Sequence, residues 1–189
     1  MFQVYLRLGF DHISDLRGYD HMLFLLALCA VYSYTEWKRV LVLITAFTIG
    51  HSLTLALAAL NVIQFNKQVV EILIPVTILL TALKNLFLQK KNEKTWDPSY
   101  LLPLFFGLIH GMGFSSFFKS LLGQEANIIL PLFAFNIGVE IGQIVVVAFI
   151  MLINLLITKI LKINQAYWSM MISIIAAVLA VYMIIQRAF

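Results

Sequence analysis

Charged residues and cysteines are scarce in this sequence. Of its 189 residues, 12% are charged and one, Cys29, is a cysteine, which excludes an intrachain disulfide and a thiolate metal site. By contrast, 62% of the residues are hydrophobic and the mean hydropathy is +0.96, whereas a soluble domain is about 45–50% apolar. The sequence therefore predicts a single integral membrane domain over residues 1–189.

The chain is basic, with a formal net charge of +4 and a pI near 9.2. In a membrane protein this balance reflects loop lysines and arginines that set the orientation. The lipid bilayer, and no nucleic acid, is therefore the expected partner. With the N-terminus outside, eight of the 13 lysines and arginines fall on the cytoplasmic side. This count predicts a protein of the cell (inner) membrane with both termini outside.

Hydrophobic runs divide the chain into about six candidate spans. Only helices and closed barrels satisfy the backbone in lipid, and the alternation of a barrel strand is absent. The prediction is an all-α, polytopic membrane helix bundle of about six transmembrane helices, with a short N-terminal surface helix or re-entrant segment over residues 2–18. The spans are predicted at residues 19–34, 40–60, 68–88, 100–122, 128–157 and 167–185. The fifth exceeds the bilayer core and should tilt, kink or project.

Histidines and carboxylates occur inside or beside these runs, where a polar side chain is costly unless the protein itself receives it. Aligning the predicted spans brings them to similar depths, between the outer interface and the midplane. We therefore expect them to converge on one cation site. The candidate metal ligands are His12, Asp20, His21, His51, Glu71, His110 and Glu140.

Other polar residues follow at helical spacing and extend this site. A track of Thr77, Thr81 and Asn85 continues along the third span toward the cytoplasm. Residues three or four positions apart share a helix face, and on that basis several more side chains join His51 and Glu140. The predicted polar lining consists of Thr48, Ser52, Asn85, Asn136 and Gln143.

Two glycine pairs predict close helix packing. Gly107 and Gly111 flank His110 one turn apart, and Gly138 and Gly142 have the same spacing. Small residues at this spacing let a second helix backbone approach closely. We expect each pair to contact another helix.

Simpler interpretations remain open for single residues. Asp20 is of a type favoured as a helix cap, Glu71 is near enough to an interface to reach water, and His12 alone suits a surface position. A single buried histidine is more often a hydrogen-bonded core residue than a ligand. Glu140 is the hardest to explain in this way, because a carboxylate in mid-span needs a partner, a proton or a cation.

The types of candidate ligand limit which metal ions the site would bind. Imidazole and carboxylate suit Zn²⁺, Ni²⁺, Co²⁺ or Fe²⁺, whereas Cu⁺ prefers thiolate and thioether. The expected cofactor or cargo is a divalent metal ion such as Zn, Ni or Co, and copper is disfavoured.

The polar motifs, taken in order, resemble the HupE/UreJ family of membrane proteins, in particular its second subgroup. They are GFDH (9–12), GYDHMLF (18–24), FTIGHSLTL (47–55), VE (70–71), FGLIHGMGF (106–114) and FNIGVEIGQ (135–143). The resemblance implies a polytopic protein, linked in several members to hydrogenase or urease maturation and proposed as a permease for nickel or a related metal. It also implies that a histidine-and-aspartate element engages the metal, which here maps to His12, Asp20 and His21.

The first functional hypothesis is a divalent transition-metal transporter. Asp20 and His21 would recruit the ion, and the mid-depth ligands would bind it as neutral imidazoles and carboxylates. A chain of this length is small for alternating access and shows no clear inverted repeat of broken helices. A homo-oligomer would enlarge it.

The alternative is an intramembrane metal-dependent enzyme of the zinc type that acts on a lipid or lipid-linked substrate. Histidines and one carboxylate would hold the ion with an open position. Glu140 or Glu71 would be the general base, and Ser52 a less favoured nucleophile. The HExxH spacing of zinc proteases is absent. A third hypothesis is a metal-binding accessory or structural protein.

Overall fold

The protein is a bundle of helices, seen in a computed structural model that describes residues 1–15, 18–87, 100–123 and 128–189. Within these ranges the long elements are seven helices. They are α1 (Phe2–Ser14), α2 (Asp20–Cys29), α3 (Trp37–Ala59), α4 (Lys67–Phe87), α5 (Leu101–Leu122), α6 (Ile129–Leu155) and α7 (Gln165–Ala188). A π-helical turn, Leu156–Ile160, lengthens α6, and the resulting apolar helix of 32 residues is longer than an ordinary crossing needs.

Five of the helices, α3 to α7, are long and apolar enough to cross a membrane. Their bounds lie within three residues of the predicted spans, and the all-α polytopic prediction is confirmed. An integral membrane protein follows from the number and length of these apolar helices.

The first predicted span, residues 19–34, is too long. The helix found there, α2, has 10 residues and a length of about 15 Å at 1.5 Å per residue, which is half of a bilayer core of about 30 Å. The preceding helix, α1, packs along α6 with Tyr5, Gly9 and Ile13 buried and its other residues exposed or partly exposed, in agreement with the predicted surface helix or re-entrant segment. Polar residues such as Asp11 and His12 interrupt the apolar run in α1. For that reason the hydropathy of the sequence indicates a membrane segment at α2 and not at α1.

Three contacts place α1 and α2 end to end across the bundle. Near the start of α1, the Tyr5 hydroxyl donates to the carbonyl of Leu121 at the end of α5 (3.5 Å). Near the end of α1, the His12 ring lies 3.9 Å from that of Phe114, about two turns earlier in α5. The side-chain amide of Asn85, near the end of α4, donates to the carbonyl of Ala27 in α2 (2.7 Å). The two helices follow one another along the bundle, and we interpret them as one interrupted crossing.

The glycine pair of α6 packs against α1. A Cβ on Gly138 would overlap the carbonyl of Leu6, and one on Gly9 would overlap the carbonyl of Phe135. The backbones of α1 and α6 are therefore in direct contact, which confirms the packing predicted for this pair and explains how a helix with several polar residues is held against the bundle.

The glycine pair of α5 packs against α3 in the same way. A Cβ on Gly107 would overlap the carbonyl of Phe47, and one on Gly111 would overlap the carbonyl of His51. Gly50 makes the reciprocal contact from α3 to α5. The prediction for Gly107 and Gly111 is confirmed. The backbone of His51 contacts Gly111, which is the residue after His110.

Both termini lie at the same end of the bundle. The start of α1 is beside the end of α5, and Arg187 near the end of α7 donates to the carbonyl of Glu71 near the start of α4 (3.0 Å). Adjacent helices α4 and α5 run in opposite directions, so these two positions share one end. The assignment of this end to the outside remains a prediction.

Candidate metal centre

All four histidines of the chain gather in one place, and each comes from a different helix. The ring centres are 4.6 Å apart for His12 and His21, 5.0 Å for His21 and His110, 5.8 Å for His12 and His51, and 6.0 Å for His21 and His51. We call these four residues the histidine cluster. His12 and His21 lie on either side of the interruption between α1 and α2.

Phenyl rings surround the cluster. Phe114 is against His12, Phe47 is 5.0 Å from His110, and the ring of Phe24 is 5.3 Å from the same imidazole. Phe135 completes this shell near His12 and His51. A polar nitrogen in such surroundings is costly unless it is bonded.

Most of the imidazole nitrogens lack a partner. Among the described residues, no hydrogen-bond partner exists for Nε2 of His12, Nε2 of His21, either ring nitrogen of His51, or Nδ1 of His110, and all of these atoms are buried. Buried polar atoms are normally bonded, so a group of five without partners requires an explanation. A cation bound between the rings would provide one.

His110 is the exception, and its single bond orients it. Its Nε2 lies 3.0 Å from the hydroxyl of Thr77, and that hydroxyl already donates its one proton to the carbonyl of Ile74 (2.7 Å). Thr77 can therefore only accept from His110, which places the imidazole proton on Nε2. The other nitrogen, Nδ1, is left with a free lone pair of the kind that binds a metal, while the second nitrogen is fixed by a hydroxyl.

The spacing of the rings suits one ion. Two imidazoles bound to a tetrahedral ion at about 2.0–2.1 Å have ring centres roughly 5 Å apart, and four of the six ring pairs in the cluster are 4.6 to 6.0 Å apart. The nitrogens do not yet point to a common centre, because no three His, Cys, Asp or Glu side chains of the described residues form a ready metal-ligand set. The residue types are nevertheless those that bind transition-metal ions.

The three predicted carboxylate ligands have other partners. Asp20 forms a two-bond ion pair with Arg187 (2.9 and 3.0 Å) rather than serving as a cap. Glu71 lies 3.5 Å from the ammonium of Lys67 and its side chain is 45% exposed, in agreement with the simpler interpretation. The expected convergence of seven ligands on one site is thus seen for the histidines and not for the carboxylates.

Glu140 lies between α3 and α6, beyond the cluster. One of its oxygens accepts a hydrogen bond from the hydroxyl of Thr45 (2.6 Å). Its other oxygen and Oδ1 of Asn136 are buried without a hydrogen-bond partner in the described part of the chain. Thr48 donates to Gln143 (2.7 Å) and links the same two helices one turn from His51.

The remaining lining residues bond to the backbone. The hydroxyl of Ser52 donates to the carbonyl of Thr48 (2.7 Å), a bond within its own helix. Asn85 bonds to Ala27, as described above, and Thr81 donates to the carbonyl of Thr77 (2.9 Å). Ser52 has no base beside it in these contacts, which gives no support to its role as a nucleophile.

A groove of about 640 Å³ opens beside the cluster at His12. Two acidic residues, Asp11 and Asp15, lie on its wall together with Phe114 and Phe117. Sequence reasoning missed both acidic residues, although they occupy the positions one before and three after His12 on the helix. It also missed Arg187, for which the sequence holds no signal because its partner is 167 residues away.

Comparison with known proteins gives the family but no close relative. Neither the curated proteins nor the solved structures contain a match to this chain. The family model described as HupE / UreJ protein matches residues 1–187, which is nearly the whole chain. The protein therefore belongs to the HupE/UreJ family, whose members are membrane proteins of the nickel and cobalt transporter type.

Proposed function

We propose that this protein carries a divalent transition-metal ion such as Ni²⁺, Co²⁺ or Zn²⁺ across the membrane and binds it at the histidine cluster. One observation carries the proposal. Three buried imidazoles and the partly buried one of His12, from four helices, each have another ring of the cluster within 6.0 Å, and most of their nitrogens have no partner among the described residues. Neutral imidazole is a common ligand for these ions.

The interrupted crossing supports transport. Transporters commonly place their binding sites near the midplane, where a membrane helix is broken, because the break offers polar groups and freedom to move. Here α1 ends at Ser14 and α2 begins at Asp20, with His12 and His21 at the two helix ends. A shift of either half-helix changes the distance between two ligands of the cluster.

A route on each side of the cluster also supports transport. On the side of the chain termini, the groove with Asp11 and Asp15 leads to His12, and carboxylates favour the approach of cations. On the other side, Thr77 contacts His110, and Thr81 and Asn85 follow at four-residue intervals along α4. We assign the first route to ion arrival and the threonine track to ion passage toward the opposite face.

The test compares the purified protein with its His110→Ala variant. Each is reconstituted in liposomes that contain a metal-sensitive dye, and Ni²⁺, Co²⁺ or Zn²⁺ is added outside. Uptake by the wild type and its loss in the variant are expected. Asn154→Ala is the matched control, because it removes a buried polar group that bonds to Gln165 and is remote from the cluster; its uptake should equal that of the wild type.

Two results would contradict the proposal. Equal uptake by the wild type and the His110→Ala variant would remove the cluster from the transport path. One tightly held zinc per chain that is lost in the variant, without any uptake by the wild type, would instead favour a metal-dependent enzyme.

A further inference from the structure

Arg187 makes an ion pair that differs from the others in the described residues. Its guanidinium donates two hydrogen bonds to the carboxylate of Asp20 (2.9 and 3.0 Å) and a third to the carbonyl of Glu71 (3.0 Å). The side chains of Arg187 and Asp20 are only 25% and 14% exposed. A single cation thus joins the ends of α7, α2 and α4.

The other ion pairs of the described ranges are local. They join residues three or four apart on one helix, at 3.2 to 3.5 Å: Arg7 with Asp11, Arg39 with Glu36, and Lys67 with Glu71. Exposed pairs of this kind contribute little. A two-bond arginine–carboxylate pair between distant helices is geometrically specific and stronger, so Arg187 holds Asp20 in one defined position.

The position of Asp20 gives this pair its significance. Asp20 is the residue before His21, whose ring lies 5.0 Å from that of His110. Imidazole ligands carry no negative charge, so a divalent ion placed among them would be balanced by nearby carboxylates: Asp20, which precedes His21, and Asp11 and Asp15, which line the groove with His12. Asp20 is held by two hydrogen bonds from a cation of a distant helix, so its charge is already balanced by a group that belongs to the protein.

We propose that Arg187 is a resident counter-cation that Asp20 exchanges for the metal ion. When an ion enters the cluster, Asp20 leaves Arg187 and becomes its carboxylate ligand. When the ion departs, Asp20 returns to Arg187. This inference rests on the proposed function, since it requires that the cluster binds metal.

In a transporter, this exchange would weaken ion binding and so favour release of the ion. A site must bind its ion well enough to receive it and weakly enough to release it. Separation of Asp20 from Arg187 opposes metal binding, so the apparent affinity is reduced by the small fraction of Asp20 that is free. Removal of the guanidinium should thus tighten binding and slow release.

The test is a titration of the full-length protein in detergent with Co²⁺, followed by the visible absorption of the bound ion. Arg187→Gln should bind Co²⁺ about tenfold more tightly or better than the wild type. Asp20→Asn placed in the Arg187→Gln background should abolish the whole gain, because the freed carboxylate is its cause. Arg39→Gln breaks a local pair instead and should leave the affinity unchanged.

Arg187→Lys is a second variant, which keeps the test valid if Arg187→Gln does not fold. It keeps the charge but loses the two-bond geometry, so its affinity should lie between those of the wild type and Arg187→Gln. Co²⁺ binding that depends on His110 but is unchanged or weakened in both arginine variants would overturn the exchange and leave the proposed function standing. A gain that survives in the Asp20→Asn double variant would overturn it too. Absence of His110-dependent binding in the wild type would overturn the proposed function and, with it, the exchange.

Discussion

At the scale of single residues, the sequence predicts the interior location of the histidines but not the partners of the carboxylates. An imidazole inside an apolar run has few ways to be satisfied, so His51 and His110 pointed to an interior site from the sequence alone. A carboxylate can pair with any cation that the fold brings near. Asp20 is paired by Arg187 at the far end of the chain, and no local pattern encodes that contact.

Thr77 offers a residue-scale prediction. Its hydroxyl accepts a hydrogen bond from Nε2–H of His110 and so keeps the lone pair on Nδ1. Thr77→Val keeps the shape but removes the acceptor, and we expect Co²⁺ affinity to fall by about 10- to 100-fold, the usual effect of losing a group that orients a metal ligand. Titration with Co²⁺ measures this.

Thr81→Val is the matched control for that experiment. The hydroxyl of Thr81 bonds only to the carbonyl of Thr77 within α4 in the contacts described, so its loss should leave the affinity within twofold or so of the wild type. Equal losses in both variants would mean that the hydroxyls act on the helix and not on His110.

At the scale of elements, the five long helices followed from hydropathy, whereas the interrupted crossing did not. A high mean hydropathy over a window of the sequence indicates a helix that is apolar along its whole length. It fails for α1, where Arg7, Asp11 and His12 share 13 residues with a face that packs on α6. The glycines predicted the existence of close contacts, but the partner helix of each pair depends on the whole arrangement.

The contact between α1 and α6 supplies a prediction at this scale. In Gly9→Ala the new methyl group would meet the carbonyl of Phe135, and α1 must shift. Overpacking of this kind costs about 1–3 kcal/mol, so we expect a lower Tm in detergent together with weaker metal binding, because His12 moves with α1.

Gly18→Ala is the comparison for Gly9→Ala. Nothing lies within 4 Å of a Cβ at Gly18, so its Tm should stay close to that of the wild type. A Gly9→Ala variant with the wild-type Tm would show that the two backbones are farther apart than described.

At the scale of the whole molecule, the arrangement of ends can be tested directly. Phe189 lies at the end of the bundle that holds both termini, and Lys162 lies in the exposed turn before α7, at the opposite end. In a Cys29→Ser background, we expect Phe189→Cys to react with a membrane-impermeant maleimide in intact cells. Lys162→Cys should react only after permeabilisation. The reverse pattern would place the termini in the cytoplasm.

The phenyl shell around the histidine cluster has a consequence for which ions the protein accepts. If the cluster binds an ion as we propose, that ion must give up most of its water shell, because Phe24, Phe47, Phe114 and Phe135 offer no oxygen to hold those waters. Mg²⁺ gives up its waters reluctantly and prefers oxygen, whereas Ni²⁺, Co²⁺ and Zn²⁺ bind nitrogen well. We therefore expect the phenyl shell to disfavour Mg²⁺ through the loss of its hydration, in addition to the preference of the imidazole ligands for transition-metal ions.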